Sequence, residues 1–121
     1  MLANDPVFQT DYGKALAGVA SARAFALEAL LALEAAALDD AVQPSHRATA
    51  RLATTHALEV AIDVAACCNR YGGSGVIRNG SAINRCYRDL SASAAHVFTD
   101  HHTWADATQV LLGIASPTLY I

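Results

Sequence analysis

Arg85, Asp89, Ala92 and His96 are spaced four, three and four residues apart. On a helix that spacing puts them on one face, with Arg88 alongside. The stripe offers a cation, a carboxylate and an imidazole, and imidazole is the side chain that most readily moves protons near neutral pH. The same residues could equally tie neighbouring helices together. A second constellation precedes it. Residues 69–88 carry Arg70, Arg78, Arg85 and Arg88 around Gly72-Gly73-Ser74-Gly75, with no acidic residue among them. Four uncompensated arginines in a chain of net charge -3 call for an anion or a set of carboxylates. Glycines let backbone amides close on a phosphate, and the start of a following helix adds partial positive charge, so pyrophosphate is a fitting ligand. A glycine helix stop ringed by solvated arginines accounts for the same residues. The loop is not a dinucleotide fingerprint, which needs a preceding strand.

Other reactive side chains lack a pattern. His46, His56, His101 and His102 have no zinc-enzyme spacing and read as surface or packing residues, and no metal site is expected. Ser74 lacks the strand-to-helix elbow of a hydrolase nucleophile. Cys67, Cys68 and Cys86 fit neither a redox nor a zinc motif and read as small buried hydrophobes in a reducing cytoplasm.

The elements that must position these residues are helical. Asp5-Pro6 is a capping carboxylate followed by a first-turn proline, and opens a helix to about Asp39. Leu16, Val19, Arg23, Ala26, Leu27, Leu30, Leu31 and Leu38, mostly apolar, follow its spacings of three and four. The opposite face is almost all alanine, which implies packing on more than one side. Pro44-Ser45 opens a second helix over about 45–70, stopped by the glycine loop. A third spans about 81–98, with Ile83, Tyr87, Leu90 and Ala94 as its apolar side. A fourth follows a capping box at Thr103–Asp106 and ends near Gly113. No segment alternates with period two. The expectation is one all-α domain over residues 1–121, an antiparallel bundle of two long and two shorter helices.

Composition narrows the function classes. Hydrophobic residues make up 54% of the chain, charged residues 16%, and 27 of the 121 positions are alanine. So little charge implies that a partner covers part of the surface, and the long helices need such a cover. The net charge argues against nucleic-acid binding. The apolar stretch 19–38 is interrupted by Arg23, Glu28 and Glu34, which argues against a membrane span. The N-terminus MLANDPVF has no signal-peptide pattern, so the expected location is cytoplasmic.

The segments "NRYGGSGVI", "INRCYRDL" and "AAHVF", at these intervals, resemble the C-terminal helical domain of the acyl-CoA dehydrogenase superfamily. There a Q-x-x-G-G-x-G loop precedes an R-x-x-R-D helix. The resemblance covers about residues 5–115 and is specific in the last fifty. It implies that the loop reaches across a subunit interface to the ADP part of a neighbour's FAD. Asn69, Gly72 and Gly73 then become flavin-proximal positions, with Asn69 standing where glutamine is usual, and Arg85 a further cofactor contact. The resemblance also shows a departure. The usual glutamate base, eight residues after the motif's aspartate, is here Val97, which cannot abstract a proton. His96 instead resembles the histidine of two-component flavin monooxygenases of this fold, which use reduced flavin from a separate reductase. That similarity implies a catalytic His96 at the reactive edge of the flavin, FAD or FMN in the complete enzyme, a small-molecule substrate and a homo-oligomer, dimer or tetramer. The family's N-terminal helical and middle β-domains are missing, so the chain is expected to be a C-terminal fragment, inactive and flavin-free alone. An acyl-CoA dehydrogenase homologue with a relocated base and a stand-alone helical interaction module are the alternatives.

Overall fold

The computed structural model describes residues 1–78 and 80–118. After a 3₁₀ turn at Leu2–Asn4, the Asp5 carboxylate accepts the Val7 N–H at 2.9 Å and Pro6 opens α1, Pro6–Leu38. A turn with Asp40 in the left-handed region (φ 52°) reverses the chain. There the Ala41 N–H closes on the Ala36 carbonyl at 2.8 Å, a common helix end. α2, Pro44–Tyr71, starts on a proline; its first turn is held by the Gln43 N–H donating to His46 Nδ1 at 3.0 Å. A 3₁₀ turn, Ser74–Ile77, leads to α3, Ala82–Ser93, and α4 is His102–Leu111. The described residues contain no strand. The all-α bundle of two long and two short helices is therefore as expected.

α2 is the central element, and α1, α3 and α4 each pack on it. Between His46 and Tyr71 it exposes only Arg47, Glu59, Asp63, Cys68 and Arg70. α1 runs antiparallel to it: Phe8 meets Tyr71, Gly18 faces Val60, and Phe25 meets His56. α4 is antiparallel as well, with the Trp104 Nε1–H donating to Glu59 at 2.7 Å near one end and Ala107 packed with Ala48, Leu52 and Val110 towards the other.

The face that α1 buries differs from the expectation. Its covered positions are Phe8, Asp11, Ala15, Gly18, Ala22, Phe25, Ala26, Ala29, Leu33 and Ala36, a repeat of three and four in mostly small residues. α2 also buries mostly small residues, Ala48, Ala50, Ala53, Thr55 and Ala65, with Ala48 on the α4 side. Small side chains on both helices let the backbones approach closely, so alanine is the seam rather than a second surface. The leucine stripe faces outward: Leu16, Val19, Leu27, Leu30, Leu31 and Leu38 range from 43% to 82% exposed.

By length and hydropathy α1 also holds a window able to cross a membrane, with mean hydropathy 1.6 and 11% of it buried. Its neighbour argues against insertion in this fold. α2 lies along it carrying Arg51, Glu59, Asp63 and Arg70, charges that a bilayer would have to accept too.

Three local expectations are corrected. α3 ends at Ser93, not near 98, and residues 94–101 are turns. The Thr99 hydroxyl takes the Ser93 carbonyl at 2.8 Å, and the Thr99 and Asp100 N–H groups both close on the His96 carbonyl, which diverts the chain from the helical path. α4 is capped by Asp100, whose carboxylate accepts the His102 N–H at 3.0 Å, while Thr103 is buried. On α3, Tyr87, Leu90 and Ala94 are half-buried as expected, but Asn84 joins them and Ile83 is exposed.

Candidate functional site

The glycine loop forms one end of the bundle. Asn69 lies in the last turn of α2, and its Oδ1 is buried without a hydrogen-bond partner among the described residues. Gly72 caps that helix; a Cβ there would collide with Val76 Cγ2 and sit 3.0 Å from the Cys68 carbonyl. Only glycine allows Val76, itself 5% exposed, to fold back as a plug beneath the loop. Gly73 has φ 68° and ψ -169°, a conformation essentially reserved for glycine, and nothing stands within 4 Å of where its Cβ would be. Its backbone is thus open to an approaching group. Ser81 caps α3 by accepting the Asn84 N–H at 3.3 Å, and Arg85 stands exposed in the first turn of that helix.

The loop's positive charge is met only in part by the chain itself. Arg70 pairs with Asp11 of α1 at 3.1 Å, and the Tyr71 hydroxyl donates to the same carboxylate oxygen at 2.7 Å. That hydrogen bond to Asp11, first, and then burial and the carboxylate's charge raise the Tyr71 phenol above its ordinary value. Arg78, Arg85 and Arg88 are exposed and have no acidic partner among the described residues. Asp89 is exposed too, so the Arg85–Asp89 stripe points to solvent rather than joining helices.

His96 is at the other end of α3, in the turn after it. Between it and the loop runs α3, twelve residues or about 18 Å long. The structure therefore brings Asn69, Gly72, Gly73 and Arg85 to one end and leaves His96 apart. The imidazole is exposed, lies 5.2 Å from the Phe98 ring at an interplanar angle of 21°, and its Nδ1 accepts the Phe98 N–H at 3.2 Å. With Nδ1 accepting, the neutral ring carries its proton on Nε2 and can donate it outward. Arg51 of α2 places its guanidinium carbon 4.7 Å from the centroid of the Phe98 ring.

Neither the Asp11–Arg70–Tyr71 group nor the Arg51–Phe98 contact was read from the sequence. Asp11 had a signal, since it is the one acid in the small-residue repeat that α1 buries. Arg51 had none beyond its place on an alanine-rich face. The remaining histidines have packing or capping places: His46 holds the start of α2, and His56 lies between Phe25 and Trp104. The His101 and His102 rings lie 4.0 Å apart on the surface. Among the described residues no cluster of ligating side chains could hold a metal. The cysteines correct an expectation: Cys67 is half-buried, but Cys68 and Cys86 are exposed free thiols, because both lie on outward faces of their helices.

The open Gly73 backbone and Arg78 suit an anion, and the orphaned Asn69 oxygen suits a hydroxyl or amino donor. The α1–α2 groove near Arg70, also lined by Lys14, Gly18 and Asp63, is an open cleft of about 370 Å³. It leaves a ring system largely in solvent.

Comparison with known proteins accords with these features. The sequence matches the family described as Acyl-CoA dehydrogenase, C-terminal domain, over residues 1–101. It is 34% identical over 113 residues to indole-3-acetate monooxygenase of Pseudomonas putida, an alignment covering 93% of this chain and 29% of that protein. The chain thus spans under a third of the length of the curated relative it matches. No solved structure matches it. With the glycine loop, the arginine-rich α3 and the helical architecture in agreement, the chain belongs to the acyl-CoA dehydrogenase C-terminal domain family.

Proposed function

We propose that this chain is the C-terminal helical domain of a flavin-dependent monooxygenase of acyl-CoA dehydrogenase fold, acting on a small aromatic substrate in the cytoplasm. The observation that carries the reading is the 34% identity to indole-3-acetate monooxygenase across 93% of the chain. Val97 in place of a carboxylate base supports oxygenation over dehydrogenation. The bound flavin, FAD or FMN reduced by a separate reductase, would supply the oxygenating chemistry.

This domain's own residues would bind and orient. Asn69, Gly72, Gly73 and Arg85 would hold the nucleotide end, and the outward Nε2–H of His96 would hold or move a proton beside the substrate. Their placement at opposite ends of α3, a helix about 18 Å long, suits contact with opposite ends of a nucleotide, or with two nucleotides in a homo-oligomer. The outward leucine stripe of α1 supports such an oligomer, dimer or tetramer.

The test is His96→Ala in the complete enzyme that carries this domain, assayed for reduced-flavin-dependent hydroxylation of an aromatic acid. The expected loss is about 10²–10⁴-fold in rate with the fold intact; an unchanged rate would reduce His96 to a surface residue. The cleft beside Arg70 is open rather than enclosing, so titration of this chain alone with FAD or FMN at physiological salt is expected to show no submicromolar binding.

A further inference from the structure

We infer that Arg51 is a positioning residue for His96, acting through Phe98; the inference rests on the proposed role of His96. Three contacts form a chain. The Arg51 guanidinium carbon stands 4.7 Å from the centroid of the Phe98 ring. That ring lies nearly parallel to the imidazole, 5.2 Å away. The Phe98 backbone N–H donates to His96 Nδ1 at 3.2 Å. Phe98 thus fixes the imidazole twice, by its ring and by its amide, and Arg51 fixes Phe98 to α2.

Residues 94–101 follow the end of α3, and Phe98 is 41% exposed, so burial alone does not hold its ring. A cation above an aromatic face is attracted to the ring's negative quadrupole, and a partly desolvated one more strongly. Arg51 is suited to that part. It is half-buried, and its Nε is buried without a hydrogen-bond partner among the described residues. Desolvation lowers its pKa, while the charge of Asp100, from the same turn, raises it. One side chain of α2 therefore faces both the ring and the charge of the segment that carries His96. Local backbone bonds set the turn's shape: the His96 N–H donates to the Ser93 carbonyl at 3.1 Å, and the Thr99 and Asp100 N–H groups close on the His96 carbonyl. The packing of α3 and α4 on α2 brings the turn to that helix, and the Arg51–Phe98 contact orients the ring there.

The test uses this chain, isotopically labelled, and follows the His96 ring resonances and the exchange of the Phe98 amide by NMR at about pH 8, where an ordinary imidazole is neutral. In the wild type the His96 ring protons are expected to show displacement by the Phe98 ring current, and the Phe98 amide to be protected. Arg51→Met keeps the stem and removes the charge. It should abolish the ring-current displacement and speed Phe98 amide exchange about five- to tenfold, the worth of roughly one hydrogen bond. The His56 and Trp104 resonances should not move. Arg51→Lys, which keeps a cation, should retain much of the wild-type pattern. Should Arg51→Met fail to fold, Arg51→Gln, which also removes the charge, serves instead, with the same loss expected at His96.

His96 resonances unchanged in Arg51→Met or Arg51→Gln, or no rescue by lysine, would overturn the inference. Its failure is separable from that of the proposed function. Intact NMR coupling with full hydroxylation in His96→Ala removes the chemical role and leaves the positioning. Lost hydroxylation with no NMR coupling does the reverse.

Discussion

The two ends of α2 are built on different principles. At the glycine-loop end the shape lies in the backbone: Gly73 occupies a conformation closed to other residues, and Gly72 leaves the space that Val76 fills. At the His96 end the backbone is ordinary turn, and the arrangement lies in side chains, with an arginine on a phenylalanine that backs a histidine. Residues 51 and 72 are 21 positions apart on or beside the same helix, about 30 Å along its axis. A backbone-built end should fail sharply when a methyl group is added. A side-chain-built end should loosen by degrees.

The largest effect on stability is therefore expected at the loop. Gly73→Ala forces a non-glycine residue into its strained region, at about 1–3 kcal/mol. Gly72→Ala drives a methyl group into Val76 and the Cys68 carbonyl, an overpacking of about 1–3 kcal/mol. Denaturant unfolding of the two variants measures both, and a neutral result at either would show that the loop's shape does not depend on glycine. Phe98→Leu should be milder, below about 1.5 kcal/mol, because the side chain is part-exposed and leucine keeps much of its volume. The double variant Gly72→Ala/Phe98→Leu sharpens the contrast. Sites so far apart should add to within about 0.5 kcal/mol, and a larger coupling would mean that the two ends act as one unit.

The smallest effect is expected from Asp11→Asn, which weakens the pin between α1 and the loop. Arg70 is largely exposed, so solvent screens the ion pair and its loss should cost under about 1 kcal/mol. This pin has a pH signature. The Tyr71 phenol is raised in the folded state by donating to Asp11, so that part of the stabilisation is complete below the ordinary phenol value of 10.0. It is lost as pH rises through the raised folded value. The stability gap between wild type and Asp11→Asn should narrow at alkaline pH; a constant gap would leave only the ion pair.

The backbone-built end was also the legible one. Glycines that stop a helix announce themselves in the sequence, and Asp5-Pro6 and Pro44 marked the helix starts to within a residue. The Arg51–Phe98–His96 contact was not legible, because 47 residues separate Arg51 from Phe98 and no local pattern links them. The burial of α1 was misread for a general reason. Leucine at helical spacing is the stronger apolar signal, but two helices that share one long seam approach more closely through alanine and glycine. The end of α3 was misplaced because the hydroxyl of Thr99, beyond the helix, competes for the Ser93 carbonyl, and periodicity cannot register such competition.

The outward stripe of α1 has a thermodynamic consequence. Leu16, Val19, Leu27, Leu30, Leu31 and Leu38 are aligned only while α1 is a helix, so whatever covers them recognises the native chain and ignores the unfolded one. Selective association of that kind stabilises by mass action, adding roughly 2.7 kcal/mol when the covering species stands at 100 times its dissociation constant. If the covering species is a second copy, as in the proposed oligomer, dilution acts on this chain as a denaturant. Its melting temperature is then a function of concentration, and values taken at one protein concentration do not transfer to another.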